Sequence, residues 1–84
     1  MTKQPSVSPA AAAMRSAIRQ GPAPGSRWQH RAGGLYVVVG MALRESDLSP
    51  VVIYQPDSPA DAVIWSRPLC EWEQRFTAVQ QEDK

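Results

Sequence analysis

Few side chains in this 84-residue chain could take part in catalysis, because it contains one histidine, His30, and one cysteine, Cys70. A general base needs a group to activate and a group that orients it, and no serine or cysteine motif near His30 supplies a nucleophile. A zinc site needs further thiol or imidazole ligands, and none is suitably spaced. We therefore expect no catalytic residue, metal, cofactor or enzyme activity. His30 should either close a turn by hydrogen bonding or make a polar contact in a ligand groove.

Arg67 is the most informative charged residue, because it follows Trp65 in an apolar segment that ends at a proline. An unpaired charge in such a strand is costly. The guanidinium could stack on Trp65, two residues away on the same face, and offer its planar fork to a carboxylate or phosphate. The alternative is an internal salt bridge to Asp61, Glu71 or Glu73. Both interpretations stay open at this point.

Tryptophan and tyrosine residues supply most of the large apolar surface. They are Trp28, Tyr36, Tyr54, Trp65 and Trp72. Each can bury about 150–250 Å², so most must lie in the core of so small a domain. We expect Trp65 in the core, and Trp28, Tyr54 and Trp72 on a half-exposed surface that binds an extended peptide or stacks bases. The predicted ligand-binding residues are therefore Trp28, His30, Tyr54, Arg67 and Trp72.

The segment before these residues is predicted to be a flexible or partly helical basic arm and linker over residues 1–26. Residues 1–27 contain four basic residues and no acid, whereas residues 28–84 contain five basic residues and all eight acids. A helix is possible in the arm, with Ser8 as its N-cap, Pro9 as its first residue and Gly21 just past its end. Met14, Ala17 and Ile18 share one face of this helix, which would persist only if the Met14/Ile18 stripe docks on the domain or on a partner.

The elements that must position the candidate residues are short strands. We predict strands over Arg27–His30, Leu35–Leu43, 51–55 and 63–67, and a helical turn within 69–76 that leads into a last short strand. Gly40 indicates a bulge in the longest strand. Four to five short strands with tight turns indicate a mainly β domain over residues 27–79, a small SH3-like barrel, followed by a polar tail over residues 80–84.

Several motifs of this segment also resemble those of one family when they are taken in order. They are Trp28-Gln29-His30, Gly33-Gly34-Leu35-Tyr36, Val38-Val39-Gly40-Met41-Ala42, Pro50-Val51-Val52-Ile53-Tyr54-Gln55 and Trp65-Ser66-Arg67-Pro68-Leu69. The ordered set resembles the bacterial domain-of-unknown-function 1653 family from Trp28 to about Val79. The resemblance implies a compact β-rich domain of the SH3-like kind, and it implies no established activity.

Three functions remain open at the level of sequence. The leading hypothesis is a non-enzymatic binding module that recognises a macromolecule, protein or nucleic acid, through an aromatic and arginine surface. The first alternative is a nucleic-acid accessory protein whose basic arm lies along phosphates. The second alternative is a small-molecule binder or small enzyme with a pocket near His30 and Arg67.

Location and assembly are also expectations. No apolar run approaches the roughly 20 residues of a membrane span, and no apolar segment follows Lys3, so we expect a cytoplasmic protein that does not bind membranes. Val37 shares a strand face with Leu35 and Val39, and relatives often carry a charge at its position. A homodimer through this strand is therefore possible, by face or edge.

Overall fold

The structure, a computed structural model, describes residues 8–58 and 63–79. The elements in chain order are α1 (Pro9–Gln20), β1 (Arg27–His30), β2 (Leu35–Leu43), β3 (Pro50–Pro56), β4 (Trp65–Pro68), α2 (Leu69–Arg75) and β5 (Phe76–Ala78). The two first strands have the predicted bounds, and the helical turn predicted before the last strand is a seven-residue helix. The predicted tail over residues 80–84 lies outside the described residues.

All five strands form one antiparallel sheet in the order β4-β3-β2-β1-β5. The sheet is open, since β4 and β5 are its two edges and do not pair with each other in the described part of the chain. The mainly β class is therefore confirmed, and the expected SH3-like barrel is not. The helix α2 connects the two edge strands and contacts both of them and β3, so it occupies the face across which they would have to meet.

Glycine residues shape the long strand β2 at its start and near its middle. Gly33 and Gly34 have φ values of 109° and 95°, which only glycine adopts at low cost, and they form the turn between β1 and β2. The pairing of β2 with β3 shifts by one residue between Val38 and Gly40. This is the bulge that Gly40 predicted.

The core lies between the sheet and α2. Its buried residues are Val38, Val52, Tyr54, Trp72 and Phe76. The Trp72 ring stacks on Phe76 with centroids 4.0 Å apart and an interplanar angle of 12°. We name the face of the sheet against which Trp72 packs the inner face.

Two expectations about the aromatic residues are wrong. Tyr54 and Trp72, expected on a half-exposed surface, are 5% and 1% exposed, whereas Trp65, expected in the core, is 50% exposed. The reason is the position of α2, which covers the middle of the inner face and leaves the edge strand β4 at its margin. Trp28 is half-buried, as expected.

The helix α1 has the predicted ends. The Ser8 hydroxyl accepts a hydrogen bond from the Ala11 amide, Pro9 is the first helical residue, and the Gly21 amide donates to the Ala17 carbonyl. The helix contacts β2 and β3.

The face that α1 buries agrees with the predicted one at Ala17 and Met14 and differs from it at Ile18. Ala17 is 2% exposed, while Ile18, from the predicted apolar stripe, is 59% exposed. Met14 of the same stripe is half-buried. Residues 9–20 of the predicted flexible arm thus form a helix that packs on the sheet.

The strand proposed for dimerisation, β2, lies in the middle of the sheet. β2 pairs with β1 on one side and with β3 on the other, so it has no free edge for a second copy. Leu35 and Val39 are 44% and 48% exposed, and Val37 is half-buried. A dimer through this face stays a prediction.

Neither described helix is both long and apolar enough to cross a membrane.

Candidate functional site

Four strands contribute side chains to a cavity of about 190 Å³ beside the edge strand β4. Its lining residues are His30 of β1, Tyr36 of β2, Tyr54 of β3, and Trp65 and Arg67 of β4. The pairing of β3 with β4 sets Trp65 opposite Tyr54 and Arg67 opposite Val52, so both β4 side chains lie on the inner face. We name this space the β4 cavity.

Arg67 is held in place from two sides. Its Nη1 donates to Glu71 Oε1 at 3.2 Å, and its guanidinium carbon lies 5.9 Å from the centroid of the Phe76 ring. The salt bridge to Glu71 confirms one of the predicted partners, and Phe76 takes the stacking role expected of Trp65. Asp61, another predicted partner, lies outside the described residues.

The ion pair does not use all the hydrogen-bonding capacity of Arg67. The side chain is 23% exposed, that of Glu71 is 45% exposed, and Nε of Arg67 is buried without a partner in the described part of the protein. A guanidinium has five N–H donors, and the contact with Glu71 through Nη1 uses only part of this capacity, so an acceptor that reaches the guanidinium can still be bound. A partly exposed ion pair contributes only about 0–1 kcal/mol, so a ligand can compete with it.

His30 closes a turn, which is one of the two roles that the sequence left open, and it also lines the β4 cavity. Its Nδ1 accepts a hydrogen bond from the Ala32 amide at 3.0 Å, which closes the turn after β1. The proton of the neutral ring therefore lies on Nε2, which is a donor. The ring packs edge-on against Phe76 and Tyr36, with centroids 4.8 and 6.2 Å away, while it lines the β4 cavity.

The chemistry of the β4 cavity is that of an acceptor-binding site. No carboxylate is among its lining residues, which offer a guanidinium, an imidazole N–H and two phenol groups. Trp65 adds an indole face that is half exposed to solvent. This combination suits an anionic or strongly accepting group that enters beside a flat apolar surface.

Two predicted site residues lie elsewhere. Trp28 and Trp72 pack edge-on, with centroids 5.5 Å apart, and line a larger cavity of about 490 Å³ between the end of α1 and α2. Trp28 Nε1 donates to Ser26 Oγ at 2.9 Å, and Trp72 Nε1 is buried without a partner among the described residues. The structure therefore brings together His30, Tyr54 and Arg67 of the predicted set.

Tyr36 and Trp65 are lining residues that the prediction of the site missed. Trp65 lies two residues before Arg67, and this spacing alone placed both on one face of a strand. Trp65 was left out of the predicted site because it was expected in the core. Tyr36 gave no comparable sequence signal, because it lines the cavity through its pairing opposite Trp28 and Pro56 on neighbouring strands. Within residues 8–58 and 63–79, no cluster of three or more histidine, cysteine or acidic side chains could hold a metal ion.

A family model described as a protein of unknown function (DUF1653) matches residues 26–84. The chain belongs to the DUF1653 family. The match covers all five strands and α2, and it begins after α1. Comparisons with curated proteins and with solved structures give no match. The β4 cavity thus lies wholly within the DUF1653 region.

Proposed function

We propose that this DUF1653 chain is a non-enzymatic binding module that recognises a macromolecule by inserting one of its anionic groups into the β4 cavity. The observation that carries the proposal is that His30 and Arg67, which both carry N–H donors, line one cavity together with the half-exposed Trp65, and that no carboxylate is among its lining residues. Charge-assisted hydrogen bonds of this kind are about twice as strong as neutral ones.

The size of the β4 cavity supports a macromolecular ligand over a whole small molecule. Small-molecule and cofactor sites usually measure about 300–1,000 Å³ and bury most of the ligand. The β4 cavity, at about 190 Å³, accepts a single side chain or one phosphate group. The rest of such a ligand would lie on the protein surface, as a peptide or a nucleic acid does.

A nucleic-acid partner is the second candidate, and α1 supplies its support. Arg15 and Arg19 are exposed and lie one turn apart on the same side of the helix, and α1 contains no acidic residue. Two arginines can contact adjacent phosphates, and such binding weakens steeply as the salt concentration rises.

The test compares two arginine variants in the full chain. Arg67→Lys keeps the charge but removes the planar fork. Arg27→Lys is the matched control, because Arg27 forms a similar ion pair with Asp57 at 3.3 Å, and its position beside Trp28 in β1 puts it on the other face of the sheet.

Nitrogen-15 NMR spectra are recorded while pools of short peptides, RNA and DNA are added. We expect at least one pool to shift the signals of the β4 cavity in the wild type and in Arg27→Lys, and to bind Arg67→Lys at least about tenfold more weakly, because a charged hydrogen bond is worth about 1.5–3 kcal/mol. Binding that Arg67→Lys leaves unchanged, or that shifts no signal of the β4 cavity, contradicts the proposal.

A further inference from the structure

We propose that the partner is an extended peptide segment with an acidic residue, which adds as a strand to the free edge of β4 and places its carboxylate in the β4 cavity. This inference rests on the proposed function and names the class of ligand. It joins two features that share the strand β4: a sheet edge that no described strand pairs with, and a cavity that Trp65 and Arg67 of this strand help to line.

The edge of β4 is open to pairing. β4 pairs with β3 on one side only, and within the described residues no strand or helix bonds to its other side. The apolar residues at its start are exposed, with Ile64 at 64% and Trp65 at 50%. An edge strand that combines unpaired backbone groups with exposed apolar side chains is a typical site of strand addition.

The β4 cavity is within reach of such a strand. Residues directly opposite on paired strands have Cβ atoms about 4.5–5.5 Å apart. Because Trp65 and Arg67 both lie on the inner face, every second side chain of an added strand lies on that face beside them. A glutamate or aspartate opposite or diagonal to Arg67 would bring its carboxylate to the side of the β4 cavity that Trp65 and Arg67 line.

The positive charge of Arg67 favours an acidic peptide over a second copy of this chain at the edge of β4. Arg67 is a charged residue on the inner face of the edge strand, and inward-pointing charges on edge strands oppose unwanted pairing of two edges. A second copy that paired through its own β4 would bring two Arg67 side chains to one face, where like charges destabilise the pair. Pro68 also removes one N–H donor from this short strand. An added strand with an acidic residue would instead be attracted by the positive charge of Arg67.

The probes are three pools of heptapeptides with blocked ends and randomised flanks around a fixed central residue, which is Glu, Gln or Lys. A fourth pool repeats the Glu pool with alternate backbone amides methylated, which removes the donors that a strand needs. The protein is the full chain, as wild type, Arg67→Lys and the control Arg27→Lys. Readouts are NMR shifts, hydrogen exchange of the β4 amides, and sedimentation.

We expect the Glu pool to shift the signals of the β4 cavity and to slow amide exchange in β4. The Gln pool should bind about ten- to a hundredfold more weakly, since one charged hydrogen bond is lost. The Lys pool and the methylated pool should not bind, and only Arg67→Lys should lower the affinity for the Glu pool.

The outcomes separate this inference from the proposed function. If the methylated pool or the Gln pool binds as well as the Glu pool, strand addition by an acidic peptide is wrong, while binding at the cavity stands. If RNA or DNA shifts the β4 cavity and no peptide does, the partner is a nucleic acid. If β4 amides are protected in a dimer before peptide is added, the occupant is a second copy. If no pool shifts the cavity, both proposals fail.

Discussion

Replacing Trp72 and Trp65 by alanine should give very different losses of stability, and the structure predicts which one is larger. Trp72 is 1% exposed, stacks on Phe76 at 4.0 Å, and has Tyr54 edge-on at 5.1 Å. Trp65 is 50% exposed and lies on an edge strand. The burial expected from the sequence, with Trp65 in the core and Trp72 on a half-exposed surface, is therefore reversed.

The size of the effect follows from burial. Trp→Ala in a core costs about 3–5 kcal/mol, through lost transfer energy and the cavity that remains. Trp65 keeps half of its surface in water, so its loss should be about 1–2 kcal/mol. A domain of this length has a total stability of roughly 4–13 kcal/mol. Trp72→Ala thus removes a large part of the stability, and it could leave the chain unfolded.

The assay is equilibrium unfolding in urea followed by far-UV circular dichroism, because the loss of a tryptophan changes the fluorescence itself. With a slope of about 1 kcal/mol/M, the midpoint of Trp72→Ala should lie about 2 M below that of Trp65→Ala.

A third variant keeps the test informative if Trp72→Ala does not fold. Trp72→Phe retains an aromatic ring and removes the buried Nε1–H donor that has no described partner, which relieves a cost of about 1–3 kcal/mol. It should therefore be clearly more stable than Trp72→Ala. Equal midpoints for Trp65→Ala and Trp72→Ala would refute the assignment of the core.

Two further predictions concern α1 and the turn between β2 and β3. Ala17→Asp should release α1 from the sheet and speed amide hydrogen exchange in the helix, because the Ala17 side chain is buried, with 2% of its surface exposed. Ile18→Asp should have little effect, because Ile18 is 59% exposed. Equal effects of the two variants would contradict the docking of α1. Hydrogen bonds from the Ser49 hydroxyl and amide lower the pKa of Asp47, so the stabilisation of the turn is complete near neutral pH and is lost as the pH falls through that lowered pKa. An NMR titration should place the Asp47 midpoint below the ordinary aspartate range, and Ser49→Ala should raise it; an unchanged midpoint in that variant would contradict this cause.

Several elements could be predicted because their signals are local. The bounds of α1 follow from Ser8, Pro9 and Gly21, each of which acts through its own backbone and immediate neighbours. The same holds for Leu35–Leu43, whose continuous apolar pattern favours a strand, and for the bulge at Gly40. Local chemistry of this kind is the same in any fold.

The candidate site could be predicted only in part. The pairing of Arg67 with Glu71 and the turn closed by His30 involve residues close in sequence, and both were among the alternatives that the sequence suggested. His30 of β1 and Arg67 of β4 line one cavity although two strands separate β1 from β4 in the sheet. No spacing in the sequence encodes such an arrangement.

The amino-acid sequence by itself determined the family, the mainly β class and the positions of most strands, because repeating patterns and turn residues act over a few positions. Only the tertiary structure decided whether the sheet closes, which tryptophan is buried, and whether α1 packs on the sheet. Burial depends on which element covers a given face. Trp65 and Trp72 have the same side chain, and they differ because Trp72 lies between α2 and the sheet while Trp65 lies at an edge that no described element covers.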